Sequence, residues 1–172
     1  MKLKPYSQGS LDGLCAVYSI VNATRIVAEI TDKEARELFG SAVAYLDATR
    51  DLPRILTTGI GLVTIGGIFK NVIGELIPHR RMPFKHDPTV TLDVFWNCLG
   101  DFLSEGERRA VLLGVGGPVW DHWSVVQSIT DRQIRFFDSH RLRRMNRHRC
   151  TTTRSTSRRP HVLCPTHTYF LW

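Results

Sequence analysis

Nowhere in this chain do about 18 uncharged apolar residues follow one another, which argues against a membrane-spanning helix. The opening MKLKPYSQGS has two lysines but no apolar run behind them, so no secretory signal is indicated. Together these absences lead us to expect a soluble protein, cytoplasmic in the producing cell or exported by a dedicated system without a cleavable signal. The four cysteines, Cys15, Cys98, Cys150 and Cys164, include no C-x-x-C pair, which argues against a zinc ribbon or a disulfide-framed secreted domain. His140, His148, His161 and His167 lie near Cys150 and Cys164 without ligand spacing, so neither a metal nor a cofactor is expected.

Acidic residues are missing altogether from Ser139 to Trp172, where Arg141, Arg143, Arg144, Arg147, Arg149, Arg154, Arg158 and Arg159 all fall. Removing these eight from the 23 lysines and arginines leaves 15 basic against 16 acidic side chains, so the net charge of +7 is a local property. No aromatic residue stands between 141 and 159, and base stacking on nucleic acid is therefore not indicated. An acidic protein partner is the preferred reading of this segment, with nucleic acid or anionic lipid less favoured.

What is present fits one domain of 172 residues over residues 1–172, with a helical part over 1–105 and a sheet part over 106–172. Asp12 is placed to cap a helix from Gly13, and residues 14–30 are apolar on nearly every face, as a central buried helix requires. Thr31 and Glu34 have capping-box spacing, and Ala35, Leu38, Phe39, Ala42 and Leu46 follow at helical intervals. A weak, glycine-loosened helical pattern covers 62–77 and a better one covers 91–103. Beyond them, 110–115, 120–129, 133–137 and 161–172 read as strands, with 139–160 as a basic loop. Helices first and strands second make the expected class α+β with an antiparallel sheet.

Thiol catalysis requires a thiolate, a base, a group that orients the base and donors for the oxyanion. Cys15 would stand in the first turn of the buried helix, where free N–H groups favour the thiolate. His122 opens a strand between Trp120 and Trp123, which would shield an ion pair from water. A turn within 129–132 would bring His122 opposite a residue between 138 and 141, and Asp138 is the carboxylate in that interval. Asp121 is nearer in sequence but points to the other face of a strand. Gln8 offers an amide donor ahead of Cys15.

The order Gln8, Cys15 on a buried helix, a distant strand-borne His122 and then Asp138 resembles the papain-like cysteine peptidase superfamily. Within it, the short chain and the aspartate are most similar to bacterial branches, the bacteriocin-processing peptidases and papain-like effector toxins. Carried over by position, the resemblance implies Cys15 as nucleophile, His122 as base, Asp138 as its orienting partner and Gln8 as oxyanion donor. It departs in having Leu14 and Ala16 beside the cysteine and in the one extra residue between Gln8 and Cys15. The implied activity is hydrolysis of peptide or amide bonds through an acyl-thioester. Glutamine deamidation or transglutamination by the same triad, and a non-catalytic binding module on this scaffold, stay open beside it. With Gln8 so near Met1, no N-terminal inhibitory propeptide is expected, and control would fall to an acidic inhibitor or regulatory partner docking on Arg141 to Arg159.

Overall fold

A computed structural model describes residues 3–118 and 121–172. The chain is α+β, as its patterning predicts. Helix α1 (Cys15–Val27) is buried along almost its whole length, from Ala16 to Val27. It carries its apolar side chains all round because it lies between α2 (Asp32–Thr49) and the sheet. The α2 start is the expected capping box: the Glu34 N–H donates to Thr31 Oγ1 and the Thr31 N–H to Glu34 Oε2. Its buried residues, Ala35, Leu38, Ala42 and Leu46, form one stripe. Asp51 caps the short α3 (Leu52–Thr58), which ends at Gly59 with φ +77°.

The expected helix over 62–77 is broken up. Only Leu62–Ile68 (α4) is α-helical; a π-turn over Phe69–Ile73 and a 3-10 turn over Gly74–Leu76 follow. Gly66, Gly67 and Gly74 supply little side-chain packing to hold a continuous helix, and Gly74 takes a positive φ of 53°. Helix α5 (Leu92–Ser104) is capped by Thr91.

The sheet runs β1 (Arg80–Arg81), β7 (His161–Leu171), β2 (Ala110–Gly116), β3 (His122–Ile129), β4 (Gln133–Phe136) and β5 (Arg144–Asn146) in spatial order. Neighbours in that path are antiparallel, and β6 (Cys150–Thr151) adds to β7 in parallel. Helices cover both faces. Ala110, Leu112, Val125, Tyr169 and Leu171 pack toward α1, α2 and α4. Val111, Leu113, Val126, Ile134 and Phe170 pack toward Phe95, Leu99 and Phe102 of α5. Strand β2 is buried at all seven positions for this reason, and it reads as a continuous apolar run rather than an alternating one.

Two expectations are corrected by this arrangement. The helical residues of the first hundred do not form one half: α5 sits on the sheet face opposite α1. The segment 139–160 is not a bare loop either, because it contains β5, β6 and a 3-10 turn over Arg147–Arg149, with Met145, Cys150, Thr151 and Thr152 buried. Thr152 Oγ1 donates to the Val90 carbonyl, and Arg147 pairs with Asp93 at 2.8 Å, so the basic segment is stitched to the start of α5.

Candidate active site

Cys15 is the first residue of α1. Asp12 does not cap this helix. Its carboxylate accepts N–H bonds from Gly9 and Leu14, shaping the turn before the helix and leaving the first helical turn without a side-chain cap. That leaves N–H donors of the first turn available beside the thiol. The turn is pressed against the end of α3. The Gly13 N–H donates to the Leu56 carbonyl at 2.7 Å, and a Cβ on Gly13 would lie 2.7 Å from the Gly59 nitrogen and 2.8 Å from the Ile55 oxygen. Only glycine fits there. At the other side of the helix the Ser19 hydroxyl donates to the Trp123 carbonyl, fixing α1 to β3, the strand that begins with His122.

His122 pairs in the ladder with Val115 of β2. Its Nε2 lies 2.6 Å from Asp138 Oδ2, with the two side chains only 6% and 1% exposed. Cys15 lies near enough to the ring to act on its titration as well. Burial pushes the imidazole pKa down, but hydrogen bonds to Asp138 and Cys15 and the charges of the same two groups overcome it and raise it to about 9. For Asp138, burial works upward and is outweighed by the hydrogen bond and charge of His122, so its carboxyl stays below its ordinary value. The two shifts have the same meaning: His122 is held as imidazolium against a carboxylate.

Asp138 is itself built into a loop. Its Oδ1 accepts the backbone N–H groups of His140 at 2.7 Å and Leu142 at 2.8 Å. Arg141, between those donors, adopts φ +66°, a left-handed conformation that few non-glycine residues take. That bend brings both N–H groups onto one oxygen and leaves Oδ2 for the imidazole. The buried Ser124 hydroxyl also draws Asp138 downward, although its Oγ meets no partner at ordinary hydrogen-bond geometry.

Gln8 is close by in the chain path. Its backbone N–H donates to the Ser139 carbonyl at 2.9 Å, its Nε2 to the Asp12 carbonyl, and its buried Oε1 has no partner among the described residues. The N-terminal strap thus joins the loop of Asp138 to the turn before Cys15. Further back it is tied to α1, with the Tyr6 N–H on Asn22 Oδ1 and an Arg25 guanidinium N–H on the Lys4 carbonyl.

Of the residues singled out in the sequence, Cys15, His122 and Asp138 come together, with His122 bonded to Asp138 and its titration raised by both neighbours. Trp123 is buried next to His122, whereas Trp120 lies outside the described residues. Ser124 and the N–H groups of His140 and Leu142 escaped notice. Strand alternation puts Ser124 on the side of His122, and the Asp-x-His-x-Leu spacing after β4 suits a carboxylate gathering local N–H groups. Those were the available signals.

The remaining thiols differ in environment. Burial raises the pKa of Cys98 and Cys164, and that of Cys150 to about 12. Among the described residues, no group of three or more His, Cys, Asp or Glu is arranged to hold a metal, and no helix is long and apolar enough to cross a membrane. No protein-family model, curated protein or solved structure matches this chain, and its chemistry is therefore argued from the arrangement of Cys15, His122 and Asp138.

Proposed function

We propose that this protein is a cysteine hydrolase of papain-like design that cleaves peptide or amide bonds through an acyl-thioester. The observation that carries the reading is His122, which is bonded through Nε2 to a buried carboxylate and whose titration is also raised by the thiol at the start of a buried helix. A packing histidine needs neither partner, and a structural cysteine does not need the imidazolium.

In the reaction, the Cys15 thiolate attacks the carbonyl carbon of the scissile bond. The resulting oxyanion accepts from the Cys15 backbone N–H and from the Gln8 Nε2 hydrogen not engaged by Asp12. Collapse breaks the C–N bond as the His122 imidazolium gives its proton to the departing nitrogen. Water then attacks the thioester, losing its proton to His122 and releasing the acid and the Cys15 thiolate. Asp138 holds the ring in one orientation throughout. A glutamine side-chain amide in place of the peptide bond gives the same acyl-enzyme, and an amine in place of water gives a crosslink.

Control belongs to the same proposal. Arg141, Arg143 and Arg144 are exposed beside the Asp138 loop, and an acidic inhibitor seated on them would cover the site in the manner of effector toxins held by cognate partners.

The test is alkylation with iodoacetamide near pH 6, followed by peptide mapping. Cys15 should be modified ahead of Cys98, Cys150 and Cys164. If it reacts no faster than they do, the nucleophile assignment fails. Incubating a candidate target with wild type and Cys15→Ala then separates backbone cleavage, a gain of about 1 Da and a crosslink, the three fates of one acyl-enzyme. A cellular effect unaltered in Cys15→Ala would favour the binding-module alternative instead.

A further inference from the structure

We propose that the cavity beside His122 receives one side chain of the substrate and selects a cationic one, lysine or arginine. This rests on the hydrolase reading above and deepens it. The cavity has a volume of about 400 Å³, within the range of clefts that hold small ligands. His122 forms part of its wall, so a side chain held there lies next to the reacting centre. The turn 58–61 faces it from the helical side, and β2, β3 and β7 face it from the sheet.

Charge decides what fits. The chain has 23 lysines and arginines, yet none is among the described residues lining this cavity, and the one carboxylate there is Asp121. Its field is felt inside: after burial, Asp121 is the next cause raising the Cys164 pKa, which keeps that thiol neutral. The cation next door does not reverse that sign, because the His122 imidazolium is held by the Asp138 carboxylate 2.6 Å away. Asp121 is exposed at the cavity wall. Its carboxylate packs closely over Gly116, where an added Cβ would lie 3.2 Å from Asp121 Oδ1.

Ile60, Val115 and Trp123 give the cavity apolar surface. A long side chain with a hydrocarbon stem and a charged end matches both features: the stem covers the apolar wall and the head meets the carboxylate while retaining water. An aliphatic side chain would use only the wall. An acidic one would face the Asp121 carboxylate.

The experiment is digestion of a diverse peptide library by the full chain, with residues on both sides of every cut read by mass spectrometry and Cys15→Ala as the blank. Lysine and arginine should be enriched about 5-fold over methionine and leucine at one fixed position, the size expected of a partly solvated charge pair. In Asp121→Asn that ratio should fall to about one, and in Asp121→Lys it should turn toward aspartate and glutamate at the same position. Cuts with no basic preference, or a preference unchanged in both variants, would overturn the inference and leave the hydrolase intact. An uncut library would overturn it too, and whether the hydrolase reading falls with it is read separately from the selectivity of Cys15 alkylation.

Discussion

His122 answers to three neighbours at once, and its behaviour in solution follows from them. Burial alone would strip its proton, whereas Asp138 and the thiol hold the proton to about pH 9. The proton leaves the pair rather than one residue, so for the hydrolase we propose the alkaline limb of kcat/KM should fall near that pH. Asp138→Asn removes the largest upward influence on the ring and should bring the limb down by about 1 unit or more, measurable with any cleaved substrate. The same shift has a consequence for stability. A folded pKa above the unfolded value of 6.5 means that the stabilisation is complete below 6.5 and is lost as pH rises through about 9. For Asp138 the sign is opposite: its contribution is present above 3.8 and fades as pH falls toward its lower folded value. Denaturant titrations across pH should show both slopes, and His122→Ala should flatten the alkaline one. His122→Ala should also abolish the preferential alkylation of Cys15, a separate readout at the same residue.

At the scale of elements, the placement of Cys15 beside His122 depends on how α1 begins. Gly13 is jammed against backbone at both Gly59 and Ile55. Gly13→Ala should therefore cost about 1–3 kcal/mol by overpacking and slow alkylation of Cys15 by displacing the first helical turn. Thr31→Ala, by contrast, removes the α2 capping box far from the thiol and should cost about 1 kcal/mol while leaving the alkylation rate unchanged. A denaturant midpoint and an alkylation rate distinguish the two variants. Helix α1 and the strands were legible in the sequence because continuous apolar burial and alternation leave strong patterns. Which sheet face α5 covers was not, since its apolar stripe fits either face equally well. The hairpin count led to Asp138 by a simpler geometry than the molecule uses. The register shifts between Val126 and Ser128, β4 ends at Phe136, and Asp138 reaches His122 from the loop beyond. Cap chemistry misled at Asp12, whose carboxylate serves the preceding turn. In 139–160 the few apolar residues, Met145 among them, concealed strands too short to show a period.

For the molecule as a whole, charge and architecture are segregated. The helices that bury the sheet hold a nearly neutral body, and the exposed arginines concentrate around the last third of the chain. Strand β5, at the end of the sheet, carries exposed Arg144, which discourages edge-to-edge association between copies. If this surface recruits an acidic partner, binding of polyglutamate as a probe should weaken several-fold from low to physiological ionic strength and should weaken likewise in Arg141→Ala/Arg143→Ala/Arg144→Ala. A response flat in salt would remove that use.

The contact of Gly13 with Gly59 bears on how such a protein would change its diet. The turn 58–61 is both a wall of the cavity and the backstop of the turn that precedes Cys15. Variation in that wall cannot be bought without disturbing Cys15. The opposite wall, with Cys164 and His167 on β7, has no such tie to α1 in the hydrogen bonds described, so new preferences are open to selection or to an engineer there. Under the proposed hydrolase reading, specificity is open to change from one side of the cavity only.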